Sequence, residues 1–116
     1  MIIAVEGTKS FKDYDVFTRA MGVALSNVNN SDKNIEIWSA GPHNVNNFTA
    51  AFCNITENYL KQKGFKISFK KLPSIYIQDN ISSVSYFAFL GTKSEAKSKL
   101  TALAEISGVE TGVFRL

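Results

Sequence analysis

Three turns in this sequence carry the residue types that hold anionic ligands: glycine, hydroxyl side chains, lysine and asparagine. They span residues 7–14, 39–47 and 91–95, and each joins an apolar segment to a helix-forming one. Backbone N–H groups at such turns, together with the N-terminus of the following helix, bind phosphate well. In a parallel α/β sheet all such turns lie at the carboxyl ends of the strands. The sequence therefore predicts an anion-binding site where the turns meet.

The first and third turns resemble each other in composition. Both place hydroxyls and lysine before a helix, although the first matches neither the P-loop spacing nor Gly-x-Gly-x-x-Gly. Chain reversal with solvated lysines, or simple helix capping, would explain the same residues. The candidate ligand-binding residues in these turns are Gly7, Thr8, Lys9, Gly91, Thr92 and Ser94.

The second turn adds amide and imidazole groups. Ser39, Gly41, His43, Asn44 and Asn46 precede or open a helix, and they offer donors and acceptors for a ribose, a base edge or a phosphate. The alternative is structural, with Asn44 in a left-handed turn position and Asn46 capping the helix. We include all five residues among the candidate ligand contacts.

Two carboxylates stand at these turns, Glu6 at the end of the first strand and Glu95 in the third turn. Either could serve as the acid or base of a hydrolase, or simply form hydrogen bonds and cap a helix. The chain has one cysteine, Cys53, and one histidine, which rules out an internal disulfide and predicts no metal centre and no cofactor. We expect binding without catalysis.

Hydrophobic periodicity predicts alternating strands and helices. Apolar stripes at three- and four-residue steps indicate helices, and short apolar runs indicate strands. The predicted strands cover residues 2–6, 35–39, 65–70, 84–90 and 109–116, and the helices cover 14–26, 47–63 and 94–107. Residues 72–83 fit either a short helix or a packed loop. This order predicts a single domain over residues 1–116, a Rossmann-like, doubly wound sheet of about five mainly parallel strands with helices on both faces.

Composition limits the kinds of partner that the protein is expected to bind. The chain has 116 residues and a net charge of +3, and its lysines are spread out instead of forming one block, which argues against nucleic-acid binding. Only Arg19 and Arg115 offer the planar fork that favours phosphate. Phe11 and Tyr14 could stack on a base or cover the core. No apolar run approaches the ~20 residues of a membrane span, and no secretory leader is recognisable, so we expect a cytoplasmic protein.

Two stretches resemble the SLOG superfamily, whose Rossmann-like fold is shared by the LOG proteins and the Smf/DprA proteins. They are Val5-Glu6-Gly7-Thr8-Lys9-Ser10-Phe11-Lys12-Asp13-Tyr14 and Ile37-Trp38-Ser39-Ala40-Gly41-Pro42-His43-Asn44-Val45-Asn46. They are similar to the family motifs Gly-x-Arg-x-Phe-x-Asp-Tyr and Ser-Gly-Gly-Ala-x-Gly-Ala-Asp of small single-domain members, often encoded by bacteria and phages. Of the LOG hydrolase motif only Gly91-Thr92-x-x-Glu95 is present.

The resemblance implies a nucleotide or nucleotide-derived ligand in the rim formed by the turns, and a dimer or larger homo-oligomer. The leading expectation is a small cytoplasmic module that binds such a ligand without catalysis. The small size, the asparagine- and lysine-rich sequence and the resemblance add the hypothesis of a phage protein that senses or sequesters a host nucleotide signal. One alternative is an N-glycosidic-bond hydrolase using Glu6 or Glu95. Another is a phage factor that binds a host protein through a basic surface at Lys66, Lys70 and Lys71.

Overall fold

The computed structural model describes residues 1–26, 28–29 and 31–115. Its strands form one sheet of order β3-β2-β1-β4-β5, and every neighbouring pair is parallel. The strands are β1 (Ile2–Gly7), β2 (Asn34–Ser39), β3 (Lys66–Lys71), β4 (Tyr86–Leu90) and β5 (Glu110–Phe114). The Rossmann-like α/β class expected from the sequence is confirmed.

Helices pack on both faces of the sheet. They are α1 (Tyr14–Leu25), α2 (His43–Gln62), α3 (Ser74–Asp79) and α4 (Lys99–Ile106), with a 3-10 turn at Ile81–Ser83. On the face formed by Ile3 and Val5, α1 and α2 build the larger core, whereas α3 and α4 pack on the opposite face with Ala4. The alternation of side chains along β1 thus divides the molecule into two layers of helices.

Aromatic rings fill the larger core near the end of β1. The ring centroid of Phe48 lies 5.9 Å from that of Phe11, 5.6 Å from that of Tyr14 and 5.9 Å from that of Phe17. Phe11 and Phe17 are buried. Phe11 and Tyr14, which the sequence offered for base stacking or for covering the core, thus both pack in this core.

Two helices begin elsewhere than the periodicity predicts. α2 starts at His43, not at residue 47, because Pro42 takes the N-cap position and Val45 in the first turn is already buried. α4 starts at Lys99, not at residue 94, because the side chain of Ser98 caps it by accepting a hydrogen bond from the Thr101 N–H at 3.1 Å. Residues 72–83 contain the short helix α3 followed by the 3-10 turn.

The topology reverses between β1 and β4. The chain leaves β1 for α1 on one face, and it leaves the neighbouring β4 for α4 on the other face. Because the two connections diverge, a crevice opens at the carboxyl ends of these strands. In open α/β sheets this is the position where ligands bind.

Candidate functional site

The three turns meet at the carboxyl edge of the sheet. The Gly7 N–H donates to the Gly41 carbonyl at 3.1 Å, and the Thr8 N–H donates to the Leu90 carbonyl at 3.1 Å, immediately before Gly91. Hydrogen bonds thus tie the first turn to the second on one side and to the third on the other. The sequence places all three glycines at strand ends, and the parallel sheet brings them together.

The gap between the first and second turns is filled. The Asn44 side-chain amide donates to the carbonyls of Thr8 (3.0 Å) and Phe11 (2.7 Å). A Cβ atom on Gly7 would lie 2.9 Å from Val45 Cγ2 and 2.8 Å from the Leu90 carbonyl oxygen. The missing side chain of Gly7 therefore permits close packing here.

Polar groups of the second turn form hydrogen bonds with one another and so stabilise the turn. The buried Ser39 hydroxyl donates to Asn46 Oδ1 at 2.5 Å and accepts from the Gly41 N–H at 3.2 Å. The side chain of His43, the first residue of α2, is exposed. Pro42, the N-cap residue of α2, forms no side-chain hydrogen bond to the N–H groups of the first turn of the helix.

The gap between the first and third turns is open. A cavity of about 170 Å³ lies between the loops that follow β1 and β4. Its lining residues are Thr8, Ser10, Phe11, Lys12, Gly91, Thr92, Glu95 and Arg115. The cavity coincides with the crevice at which the two connections diverge.

Charged groups of both signs line this cavity. Lys12 and Arg115 are exposed cations that come from the β1–α1 turn and from the residue after β5. Glu95 accepts hydrogen bonds from the Thr92 N–H and from the Thr92 hydroxyl, both at 2.8 Å. These bonds lower the pKa of Glu95, so its carboxylate is ionised at neutral pH. Two cations face one carboxylate, which leaves a net attraction for anions.

Small side chains keep the cavity open. A Cβ atom on Gly91 would lie 3.0 Å from the Phe89 ring, 3.1 Å from the Thr8 methyl group and 3.2 Å from the Glu95 carboxylate. Hydroxyl groups lie on both sides of the cavity. Thr8 Oγ1 and Ser10 Oγ, 3.1 Å apart, belong to the first turn, and Thr92 belongs to the third. A larger side chain at position 91 would narrow the space between the two turns.

Comparison with the sequence-based candidates divides them into two groups. Three of the eleven candidate ligand contacts, Thr8, Gly91 and Thr92, line the cavity. The other eight do not line it: Gly7, Lys9, Ser39, Gly41, His43, Asn44, Asn46 and Ser94. Two further lining residues, Phe11 and Glu95, were considered from the sequence for base stacking and for catalysis. The lining residues that had neither been candidate ligand contacts nor been considered for those two roles are Ser10, Lys12 and Arg115. The sequence held a signal for each: two belong to the first turn, and the third is one of the few arginines, directly after the last strand.

The second carboxylate, Glu6, lies apart from the cavity lining. It follows Ala4 on the α4 side of β1, and the Ser98 hydroxyl at the start of α4 donates a hydrogen bond to it. Burial raises the pKa of Glu6, and the hydrogen bond from Ser98 opposes part of that rise. Glu6 therefore joins the central strand to the start of α4.

The one cysteine, Cys53, is buried in the larger core. Burial, aided by the charge of Glu57, raises the pKa of the Cys53 thiol to about 11, so the thiol stays protonated. Within residues 1–26, 28–29 and 31–115, no three histidine, cysteine or acidic side chains are placed to hold a metal ion. None of the helices in those ranges is long and apolar enough to cross a membrane.

Comparison with known proteins returned no match to a protein-family model, to a curated protein or to a solved structure.

Proposed function

We propose that this protein binds a nucleotide or nucleotide-derived ligand without transforming it, and that the cavity between the first and third turns takes an anionic group of that ligand. The observation that carries the proposal is the cavity's position at the topological switch point, with Lys12 and Arg115 in its lining. Arginine binds phosphate through paired hydrogen bonds, and lysine adds a point charge.

The size of the cavity indicates which part of the ligand it accepts. At about 170 Å³ it is smaller than the roughly 300–1,000 Å³ of sites that enclose whole small molecules. A phosphate group fits, and a base and ribose would extend over the neighbouring surface. The α2 N-terminus, with no side-chain cap and with His43 exposed, belongs to the same edge and attracts negative charge through the helix dipole.

A second candidate function is hydrolysis of an N-glycosidic bond. The observation that favours it is the pKa of Glu6, which burial raises, because a carboxyl group that binds its proton more tightly is better suited to act as a general acid. Against it, both candidate carboxylates already accept hydrogen bonds from within the protein. Glu6 accepts one from Ser98, and Glu95 accepts two from Thr92. We therefore favour binding.

The proposal extends to family and setting. The strand order and the position of the cavity at the carboxyl edge support a relationship to the SLOG superfamily. The small size and the asparagine- and lysine-rich sequence support a phage protein that senses or sequesters a host nucleotide signal in the cytoplasm. The resemblance to the SLOG superfamily adds the proposal that it acts as a homo-oligomer.

Isothermal titration of the wild type and matched variants against AMP, ADP-ribose, cyclic AMP and inorganic phosphate tests the proposal. We expect Arg115→Ala to weaken binding about tenfold, because a charge-assisted hydrogen bond contributes roughly 1.5–3 kcal/mol. Glu95→Gln should strengthen binding, because it removes a negative charge from the cavity and keeps an oxygen that can accept from Thr92. Lys97→Ala, which changes an exposed lysine outside the lining, is the control.

Two results would contradict the proposal. Failure of every compound to bind the wild type would remove it. Release of free base from a nucleoside monophosphate, abolished by Glu6→Gln or Glu95→Gln, would establish the hydrolase instead.

A further inference from the structure

Strand β3 forms one end of the sheet, and its outer edge is open. The Lys66 N–H donates to the Lys33 carbonyl at 2.8 Å, and the Leu72 N–H donates to the Ser39 carbonyl at 3.0 Å, so the even-numbered residues pair with β2. Backbone groups alternate in direction along a strand, and therefore the odd-numbered ones point away from the sheet. These outward groups belong to Ile67, Phe69 and Lys71. Among the described residues no strand pairs with this edge.

The face of β3 on the α3 side is also uncovered. Parallel sheets are normally buried on both faces, and α2 covers Ile67 and Phe69 on the other side. On the α3 side, a shallow trough of about 260 Å³ opens across β2 and β3. The side chains on this face are Asn34, Glu36, Lys66, Ser68 and Lys70. The polar residues suit contact with water or with a polar partner.

The charge of this region is positive. Residues 61–71 contain five lysines and no acidic residue. Lys70 pairs with Glu36 at 2.9 Å, whereas Lys66 and Lys71 are exposed on opposite faces of β3. An approaching extended segment would meet a cation on each face.

Two other occupants fit less well. Pairing the β3 edges of two copies would bring their lysines together, and like charges opposite each other destabilise paired strands. A phosphodiester backbone satisfies the lysines but has no N–H groups for the outward carbonyls of β3. A peptide strand supplies both donors and acceptors.

We propose that the β3 edge binds an acidic, extended segment of another protein as an additional strand of the sheet. The backbone of that segment pairs with Ile67, Phe69 and Lys71, and its carboxylates contact Lys66 and Lys71 on the two faces. This surface lies two strands away from the crevice between β1 and β4, and so it is independent of the proposed ligand site.

The test uses a fluorescein-labelled peptide of alternating glutamate and valine, with fluorescence anisotropy as the readout. We expect binding that weakens as salt rises, because salt screens exposed charges. The double variant Lys66→Glu/Lys71→Glu should lose at least about tenfold in affinity, equivalent to about 1.4 kcal/mol. The control Lys93→Glu/Lys97→Glu carries the same change in net charge on exposed lysines elsewhere and should bind as the wild type does. Bound peptide should slow amide exchange at Ile67, Phe69 and Lys71.

Several results would overturn the proposal. They are no binding to the wild type, equal loss in both double variants, or unchanged exchange at the three outward amides. Equal binding by the same peptide with a central proline would show that strand pairing is not involved. Tighter binding of a single-stranded oligonucleotide would assign the basic edge to nucleic acid.

Discussion

Glu6 occupies an unusual place for a charged residue, at the end of the central strand between two packed layers. Its carboxylate accepts a hydrogen bond from the Ser98 hydroxyl, and burial disfavours its ionised form. The folded protein therefore binds the Glu6 proton more tightly than the unfolded chain does. Ionisation at higher pH carries a cost in folding free energy that is absent at low pH.

Replacing Glu6 with glutamine should remove this pH dependence. Because the folded-state pKa is raised, the favourable contribution of Glu6 is fully present below its unfolded value near 4.5 and is lost as pH rises through the folded value. The stability of Glu6→Gln relative to the wild type should therefore increase from pH 4 to pH 8. Urea unfolding across that range measures the difference, with the exposed Glu105→Gln as control. Parallel curves for wild type and Glu6→Gln would refute this account.

At the level of single residues, the sequence identified the turns better than the role of each side chain. Thr8, Gly91 and Thr92, all in the first and third turns, line the cavity. The side-chain amide of Asn44, by contrast, donates hydrogen bonds to backbone carbonyls of the first turn. Residue type shows that an amide can donate, but only the folded arrangement shows which acceptor it reaches.

At the level of elements, hydrophobic periodicity found every strand and the three longer helices. The starts of α2 and α4 were misplaced because local hydrogen bonds decide them. Residues 92–95 bond to one another through Thr92 and Glu95, so this segment closes as a turn before the helix begins. Helix-forming composition alone does not reveal such local competition.

Two glycines of different elements should respond to alanine in opposite ways. Gly7→Ala places a methyl group 2.8 Å from the Leu90 carbonyl oxygen, a backbone atom that cannot move aside cheaply, and should destabilise the fold by about 1–3 kcal/mol. Gly22 is exposed within α1 and has no atom within 4 Å of the added carbon, so Gly22→Ala should stabilise the fold by about 0.5–1 kcal/mol. Urea denaturation measures both, and a stable Gly7→Ala protein would contradict the packing described.

At the level of the whole molecule, the central strands are enclosed and the outer strands are not. Ile3, Ala4 and Val5 of β1 are fully buried and every residue of β4 is buried, whereas Glu110 of β5 is exposed and the other residues of β5 are partly exposed. Stability within a sheet follows such burial. The sequence predicted a doubly wound sheet but not the order of its strands. That order decides which strands are central.

Amide hydrogen exchange should show this gradient. We expect the amides of Ala4 and Ala88 to exchange only through global unfolding, and those of Val113 to exchange through smaller openings of the edge. Exchange measured by NMR at several urea concentrations distinguishes the two processes. Equal opening free energies across all the strands would contradict the gradient.

The crevice between β1 and β4 joins parts of the chain that are distant in sequence. Lys12 leads into a helix of one layer, Glu95 precedes a helix of the other, and Arg115 follows an edge strand. An anion held by Lys12 and Arg115 beside the turn that contains Glu95 binds only when both layers are assembled, so occupancy adds directly to the free energy of unfolding, by about 2.7 kcal/mol at a hundredfold excess over Kd. Ligand binding and folding would then be thermodynamically linked, and the cellular concentration of the ligand would determine how long each protein molecule stays folded.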